Sequence, residues 1–268
     1  MTSFFFAPGT TFFISLRESA HFIRLAASGR SRSRTHFAPI LLHLRDVSQK
    51  TPIFRQINRN LTVMKKIGLW LLKNNIHIMT LIFLCWAVWG ICNWNSIGIV
   101  SKLVLGIYFL LICHEYEETF EGGLMALFGP VVGIDPATLV PGKSHLAQAV
   151  YITVLFSLAL LFPNVMWLVF PVFILAIFEG FVHTMGSFIF KLGKPSPGWY
   201  TAILMCAFAI WGLVVLNRNV NYPGIQWLWA SLYYVGLFVL LETWFQHLIG
   251  SSLPHFARSM RAFVFGKK

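Results

Sequence analysis

The stretch CHEYEETFEGG concentrates one histidine and four glutamates at the end of an apolar run. Glu115, Glu117, Glu118 and Glu121 are four of only nine acidic residues in the 268-residue chain. At about 100° per residue, the last three of these glutamates share one helical stripe with His114, whereas Glu115 lies at its edge. Imidazole and carboxylate ligands together suit zinc or iron. We therefore expect a metal site at His114, with Glu117 and Glu118 as ligands and catalytic residues and Glu121 as a weaker candidate.

A second histidine and glutamate, Glu179 and His183, lie four residues apart in a later apolar segment. Residues at this spacing share a helix face, and helical bundles bind metals with such pairs from facing helices. Glu242 and His247 are weaker candidates, because about 140° of helix separates them and both cannot face one site. Two alternatives stay open: a solvated acidic collar around residues 114–121, and a hydrogen-bonded pair between helices for Glu179 and His183.

Composition requires membrane helices to position these residues. The chain is 57% hydrophobic and only 11% charged, which is too apolar for a soluble domain of this length. The sequence predicts an all-α fold, a polytopic membrane helix bundle in residues 64–250, followed by a basic cytoplasmic tail in residues 251–268. Six segments have the length and apolarity of a membrane-spanning helix, namely 76–94, 97–116, 146–162, 164–190, 199–216 and 225–249.

The distribution of positive charge predicts the orientation of these spans. Basic residues precede the first span, follow the sixth, and occupy the connections after the second and fourth. The positive-inside rule therefore places both termini in the cytoplasm, and we expect the membrane to be a bacterial cytoplasmic (inner) membrane. His114, His183 and His247 then lie about 26, 29 and 33 Å along their helices, near the inner boundary of a ~30 Å hydrocarbon layer. The predicted site opens at the cytoplasmic interface.

Three sequence elements occur in an order that is typical of a known family. HEYEE, which begins at His114, reads as H-x-x-E-E, EGFVH ends at His183, and PSPGWYTA follows at 195–202. This order resembles the HXXEE-motif family of small integral membrane proteins, which is regarded as enzymatic and whose reaction is unassigned. In this chain Glu179 stands where the family usually has asparagine, and Pro195 where an aromatic residue is common. The matching residues are His114, Glu117, Glu118, His183, Pro197, Gly198, Thr201 and Ala202.

The N-terminal residues 1–63 do not fit the bundle. They are rich in arginine and serine and poor in acids, as transit peptides are, whereas MKKIGLWLLKNN from Met64 is typical of a protein start. We expect residues 1–63 to be disordered or a non-native extension, with a targeting segment as the alternative. The net charge of +12 is explained by membrane orientation, so no nucleic-acid partner is expected. The four cysteines form no CxxC pair, which argues against a disulfide framework.

Together these patterns predict a metal-dependent membrane enzyme that hydrolyses a lipid or another amphiphile. A zinc or iron ion would activate water, and a glutamate would serve as the general base. Membrane lipid is the expected partner, and homo-oligomer formation is left open. The alternatives are a proton- or ion-coupled transporter that uses the same cluster and a non-catalytic membrane subunit.

Overall fold

The computed structural model describes residues 52–120, 123–135, 137, 139, 142–192 and 194–266. The chain divides after Lys66 into two compact units. In the first unit, the described residues 52–66 form the beginning of helix α1 (Pro52–Lys73). Of the predicted N-terminal extension, residues 1–51 lie outside the described part of the chain, and residues 52–63 are helical.

The second unit, Ile67–Lys268, is all-helical in its described residues, which confirms the predicted fold class. Its elements are α2 (Asn75–Cys92), α3 (Ile99–Phe120), α4 (Gly123–Val132), α5 (Lys143–Leu161), α6 (Met166–Ile189), α7 (Trp199–Asn219), α8 (Ile225–Ile249) and α9 (Leu253–Phe265). Part of the stretch predicted as a basic tail is therefore the helix α9.

Five of these helices, α2, α3, α6, α7 and α8, are long and apolar enough to cross a membrane. Each coincides with a predicted span, and their number and apolarity indicate an integral membrane protein. The remaining predicted span coincides with α5, whose apolar part, His145–Leu161, is shorter than the other five. The count of six spans therefore stays a prediction, as does the cytoplasmic position of both termini.

The bundle core lies around α3 and α6, which are the most buried of the five long helices. Helix α3 packs against α2, α5, α6 and α7, and α8 covers α5 and α6 from the other side. Aromatic stacking fills the core: the rings of Tyr108 and Phe156 lie 4.5 Å apart, and those of Phe170 and Trp227 lie 3.9 Å apart. Outward-facing apolar side chains such as Leu81, Trp211 and Leu232 are more than half exposed, as expected for helices that contact lipid.

Helices α6 and α7 approach each other closely at Gly180. A Cβ atom at this position would lie 2.6 Å from Cβ of Cys206 and 3.2 Å from the carbonyl oxygen of Ala202. Small residues at such crossings let membrane helices pack backbone to backbone. Because Gly180 lies between Glu179 and His183, this close approach holds the second half of the predicted metal site against the N-terminal part of α7.

Candidate metal centre

The two histidines of the predicted site meet in the core of the bundle. Helix α3 continues through the HEYEE stretch to Phe120, and it brings His114 to His183 of α6. Their ring centroids lie 4.7 Å apart and the ring planes are perpendicular. His114 is completely buried and His183 is 3% exposed. Both side chains are therefore fixed inside the protein.

A hydrogen bond to the main chain orients the ring of His114. Its Nδ1 atom lies 3.0 Å from the carbonyl oxygen of Gly198 and 3.2 Å from the hydroxyl oxygen of Thr201. Because a carbonyl oxygen can only accept, Nδ1 is the nitrogen that carries hydrogen. In the neutral ring this leaves the lone pair on Nε2. Nε2 is buried and makes no hydrogen bond.

Ser196 orients the ring of His183 in the same way. The Ser196 hydroxyl donates to the carbonyl oxygen of His183 at 3.0 Å, so it accepts the Nδ1 hydrogen of the ring at 3.1 Å. The Ser196 backbone N–H donates to the Ser187 hydroxyl at 2.9 Å, which fixes the loop between α6 and α7. Nε2 of His183 is consequently the free, ligand-competent nitrogen, and it is buried without a hydrogen bond.

The two free nitrogens face the same two carboxylates. Nε2 of His183 lies 3.1 Å from Oε1 of Glu118 and 3.6 Å from Oε2 of Glu179. Nε2 of His114 lies 3.8 Å from Oε1 of Glu118 and 3.9 Å from Oε2 of Glu179. Both Glu118 oxygens are buried and make no hydrogen bond of normal geometry. The four side chains therefore point at one common position without satisfying one another.

These separations suit the ligands of one metal ion. Ligand atoms about 2.0–2.1 Å from zinc stand roughly 3.3 Å apart at the tetrahedral angle. The measured 3.1 to 3.9 Å lie around that value. One atom each from His114, Glu179 and His183 lies within 4.8 Å of the others, so these three residues could hold an ion. Two imidazoles and a carboxylate are also a common ligand set of catalytic zinc.

The charge of this region favours a cation. The buried side chains that the structure describes include Glu115 and Glu118 but no lysine or arginine. Burying a carboxylate without a compensating charge or hydrogen bonds is costly. A histidine that binds a metal through Nε2 is neutral, so in that state the two imidazoles would supply no positive charge. A divalent cation at the common position would supply it.

Glu117, predicted as a ligand, lies outside this group. Its carboxylate accepts the backbone N–H of Thr201 at 2.9 Å, that of Tyr200 at 3.3 Å, and the Thr201 hydroxyl. It thus caps the N-terminus of α7, where negative charge is favoured. Adjacent residues on a helix diverge by about 100°. Since α3 packs against both α6 and α7, Glu118 faces α6 and Glu117 faces α7.

Of the three weaker candidate ligands, Glu242, His247 and Glu121, the structure describes the first two and places them differently with respect to the centre. Glu242 is partly buried on α8 and interacts electrostatically with Glu179, so it lies near the centre. His247 is exposed in the last turn of α8 and is not among the residues that the structure brings together. Glu121 lies outside the described residues.

Sequence reasoning missed two groups beside the centre. Glu115, which we placed at the edge of the stripe, is 1% exposed and accepts a 2.8 Å hydrogen bond from the side-chain amide of Gln148 on α5. Ser196, which anchors His183, was not singled out. The signal for Glu115 was its position in an apolar helix, where a carboxylate requires a partner. For Ser196 the sequence offered no signal beyond its position in the PSPG turn.

The PGWYTA stretch has a structural role at every position that resembles the family. Gly198 starts α7 with φ of 82° and supplies the acceptor for His114. Thr201 binds the Glu117 carboxylate, and Ala202 contacts the α6 crossing at Gly180. Pro197 lines a small pocket beside His183. The stretch therefore orients His114, and Ser196, the residue before it, orients His183.

Comparisons with models of known protein families, with curated proteins and with solved structures find no match to this chain. The resemblance to the HXXEE-motif family accordingly stays an interpretation of the sequence.

Proposed function

We propose that this chain is a metal-dependent membrane hydrolase. In this proposal His114, Glu179 and His183 bind a divalent zinc or iron ion, and Glu118 is the general base. One observation carries the proposal: each histidine commits Nδ1 to a fixed acceptor and directs a buried, unpartnered Nε2 at the same two carboxylates. Histidines that bind metals are oriented in this way, through a hydrogen bond from the ring nitrogen that does not bind the metal.

The roles of the four side chains follow from their surroundings. A bound divalent ion would supply a Lewis acid that activates water near neutral pH. Glu118 has both carboxylate oxygens free and buried, so it can accept a proton from that water. Ser196 and Gly198 keep the imidazoles in the metal-binding tautomer. Glu117 is already committed to the α7 cap, so we assign the catalytic role to Glu118 rather than to both glutamates.

The surroundings of the centre favour an amphiphilic substrate. The ligands lie toward the C-terminal ends of α3 and α6, where a lipid would present its polar part if these ends lie at the membrane interface. A small pocket beside His183 is lined by apolar side chains that include Leu127, Val182 and Phe190, which suits a hydrocarbon chain. We propose that the membrane is the bacterial cytoplasmic membrane and that the site faces the cytoplasm.

Elemental analysis of the detergent-purified protein tests the metal site. We expect about one zinc or iron ion per chain in the wild type, and its loss in His114→Ala and His183→Ala. His77→Ala is the matched control. His77 forms a hydrogen bond with Tyr116 on the other side of α3, so this variant should leave the metal content unchanged. Wild-type protein that binds no metal, even after zinc or iron is added back, would shift the interpretation to a proton relay or a transporter.

A second experiment tests catalysis separately from binding. Glu118→Gln should keep the metal. Its rate of hydrolysis, measured with a lipid ester that the wild type cleaves, should fall at least ~100-fold, since a positioned base contributes about 10²–10⁴-fold. Glu179→Gln should instead lower the metal content. If Glu118→Gln also loses the ion, Glu118 is a fourth ligand and the base is a different residue.

A further inference from the structure

A second set of buried polar atoms lies next to the metal centre, on the side of α5 and α8. The hydroxyl oxygens of Tyr151 and Tyr234 and the side-chain amide of Gln246 are buried and make no hydrogen bond of normal geometry. Tyr151 and Tyr234 are each 7% exposed and Gln246 is fully buried. Buried polar groups are normally paired, and an unpaired one calls for a water, an ion or a ligand.

Three polar side chains of helix α8, those of Tyr234, Glu242 and Gln246, are buried or partly buried against the protein. Tyr234, Glu242 and Gln246 are eight and four residues apart, so they form one stripe along the helix. Tyr234 and Gln246 are buried, whereas Leu232 and Leu240 are more than half exposed. A bundle held only by apolar packing would not require polar groups on this face. The stripe indicates a polar surface inside the bundle.

This surface adjoins the metal centre. Tyr151 and Tyr234 interact electrostatically with each other and with Glu179. The ring of Tyr234 packs against Phe178, the residue before Glu179, at 6.2 Å between centroids. Tyr151 lies one helical turn beyond Gln148, which binds Glu115. The contact with Phe178 therefore places Tyr234 on the side of the bundle where Glu179 lies, and a substrate attached to the centre would extend there.

We propose that Tyr151 and Tyr234 form the subsite for the polar headgroup of the substrate, and that this headgroup is uncharged and carries hydroxyl groups. This inference rests on the proposed function. Phenol groups both donate and accept hydrogen bonds and suit such a headgroup. A phosphate would be favoured by arginine, lysine or a helix N-terminus. The described buried residues include no lysine or arginine, and Glu117 already occupies the N-terminus of α7.

Two matched amphiphiles test the subsite: 1-O-octadecylglycerol and its 3-phosphate, in which an ether bond that resists hydrolysis joins the octadecyl chain to glycerol. Their dissociation constants are measured by tryptophan fluorescence on the full chain in nanodiscs of neutral lipid. We expect the uncharged ether to bind about tenfold more tightly than the phosphate. Tyr151→Phe and Tyr234→Phe should each weaken its binding roughly 2- to 10-fold, the effect of one lost hydrogen bond.

Tyr108→Phe is the matched control. Tyr108 is completely buried and its hydroxyl also makes no hydrogen bond of normal geometry, but it lies beside Thr153 rather than Glu179. This variant should bind the ether as the wild type does. The thermal unfolding midpoint and metal content of all three variants should match the wild type, which shows that only the headgroup contact has changed.

The outcomes separate the subsite from the metal site. The subsite would be overturned if Tyr151→Phe and Tyr234→Phe bind the ether as tightly as the wild type does. Tighter binding of the phosphate would also overturn it. In either case the metal site would stand if the ion is present. Weaker binding by both variants in a protein that holds no metal would support the subsite and overturn the proposed hydrolase.

Discussion

The carbonyl oxygen of Gly198 lies 3.0 Å from Nδ1 of His114, and the same glycine leaves room for the ring it orients. A Cβ atom at Gly198 would lie 2.7 Å from Cε1 of His114 and 2.7 Å from Cγ of Glu118. The φ angle of 82° is also one that glycine adopts far more readily than other residues. One residue thus begins α7 and fixes the first histidine of the candidate centre.

Gly198→Ala should abolish metal binding, because the added methyl group displaces the ring of His114 or the side chain of Glu118. Gly250→Ala is the control, since Gly250 has φ of 83° and nothing within 4 Å of its Cβ position. Both variants should lose about 1 kcal/mol of stability to the unfavourable φ. Only Gly198→Ala should lose the ion in elemental analysis. Equal metal content in the two variants would contradict the crowding argument.

Ser196→Ala should weaken metal binding without removing a ligand. The hydroxyl accepts the Nδ1 hydrogen of His183, and loss of such a supporting partner typically lowers metal affinity roughly 10- to 100-fold. Competition with a chelator measures the affinity. Ser157→Ala removes a comparable side-chain hydrogen bond, that from Trp86, and should leave the affinity unchanged. An unaltered affinity in Ser196→Ala would mean that packing alone orients the ring.

The sequence predicted the parts of the centre that lie on regular helices. Apolar runs located the spans, and the spacing of His114 with Glu118 and of Glu179 with His183 located two ligand pairs, because helical phase follows from the α-helix itself. The common depth of His114 and His183 also followed from counting residues along the two helices. For His247 the same counting was insufficient, because depth does not determine which face of α8 points inward.

The sequence could not assign Glu117 and Glu118 to different partners. Both residues fell within one stripe about 100° wide, and the assignment depends on which helix packs against each edge of that stripe. In the fold α7 takes one edge and α6 the other. Ser196 was unpredictable for a related reason, since its role depends on the path of a loop and not on helical periodicity.

Glu117→Gln should lower stability and leave the metal in place. The carboxylate accepts two backbone N–H groups at the start of α7, and a charged cap of this kind is worth about 0.5–2 kcal/mol. The thermal midpoint and the metal content are measured on the same preparation. Glu118→Gln should show a different pattern: its activity should fall while its thermal midpoint changes little. Loss of the ion in Glu117→Gln would restore Glu117 as a ligand.

Gly180→Ala should separate α6 from α7 and disturb the centre. Its Cβ would lie 2.6 Å from Cβ of Cys206, and neither backbone can shift without moving the helix. We expect a loss of about 1–3 kcal/mol from overpacking, together with weaker metal binding. Gly186→Ala, on the same helix with nothing within 4 Å, should be neutral or slightly stabilising. If both variants unfold at the same temperature, the crossing tolerates a methyl group.

Glu115 and Gln148 should behave as an energetically coupled pair. Gln148→Met leaves a buried carboxylate without its 2.8 Å donor, which should cost about 1–3 kcal/mol. Glu115→Met removes the carboxylate and leaves the amide unpaired, at a smaller cost because an amide is uncharged. The double variant replaces both polar groups with side chains of similar length, so it should be more stable than the sum of the single effects predicts.

Unfolding in mixed detergent micelles measures this coupling as a double-mutant cycle. A coupling energy near zero would mean that Glu115 relies on a different partner, and a cation held by the neighbouring metal centre would be such a partner. In that case Glu115→Met should also change the metal affinity. With the coupling intact, metal affinity should instead be the same in Gln148→Met and the wild type, because Gln148 supports Glu115 and not the ligands.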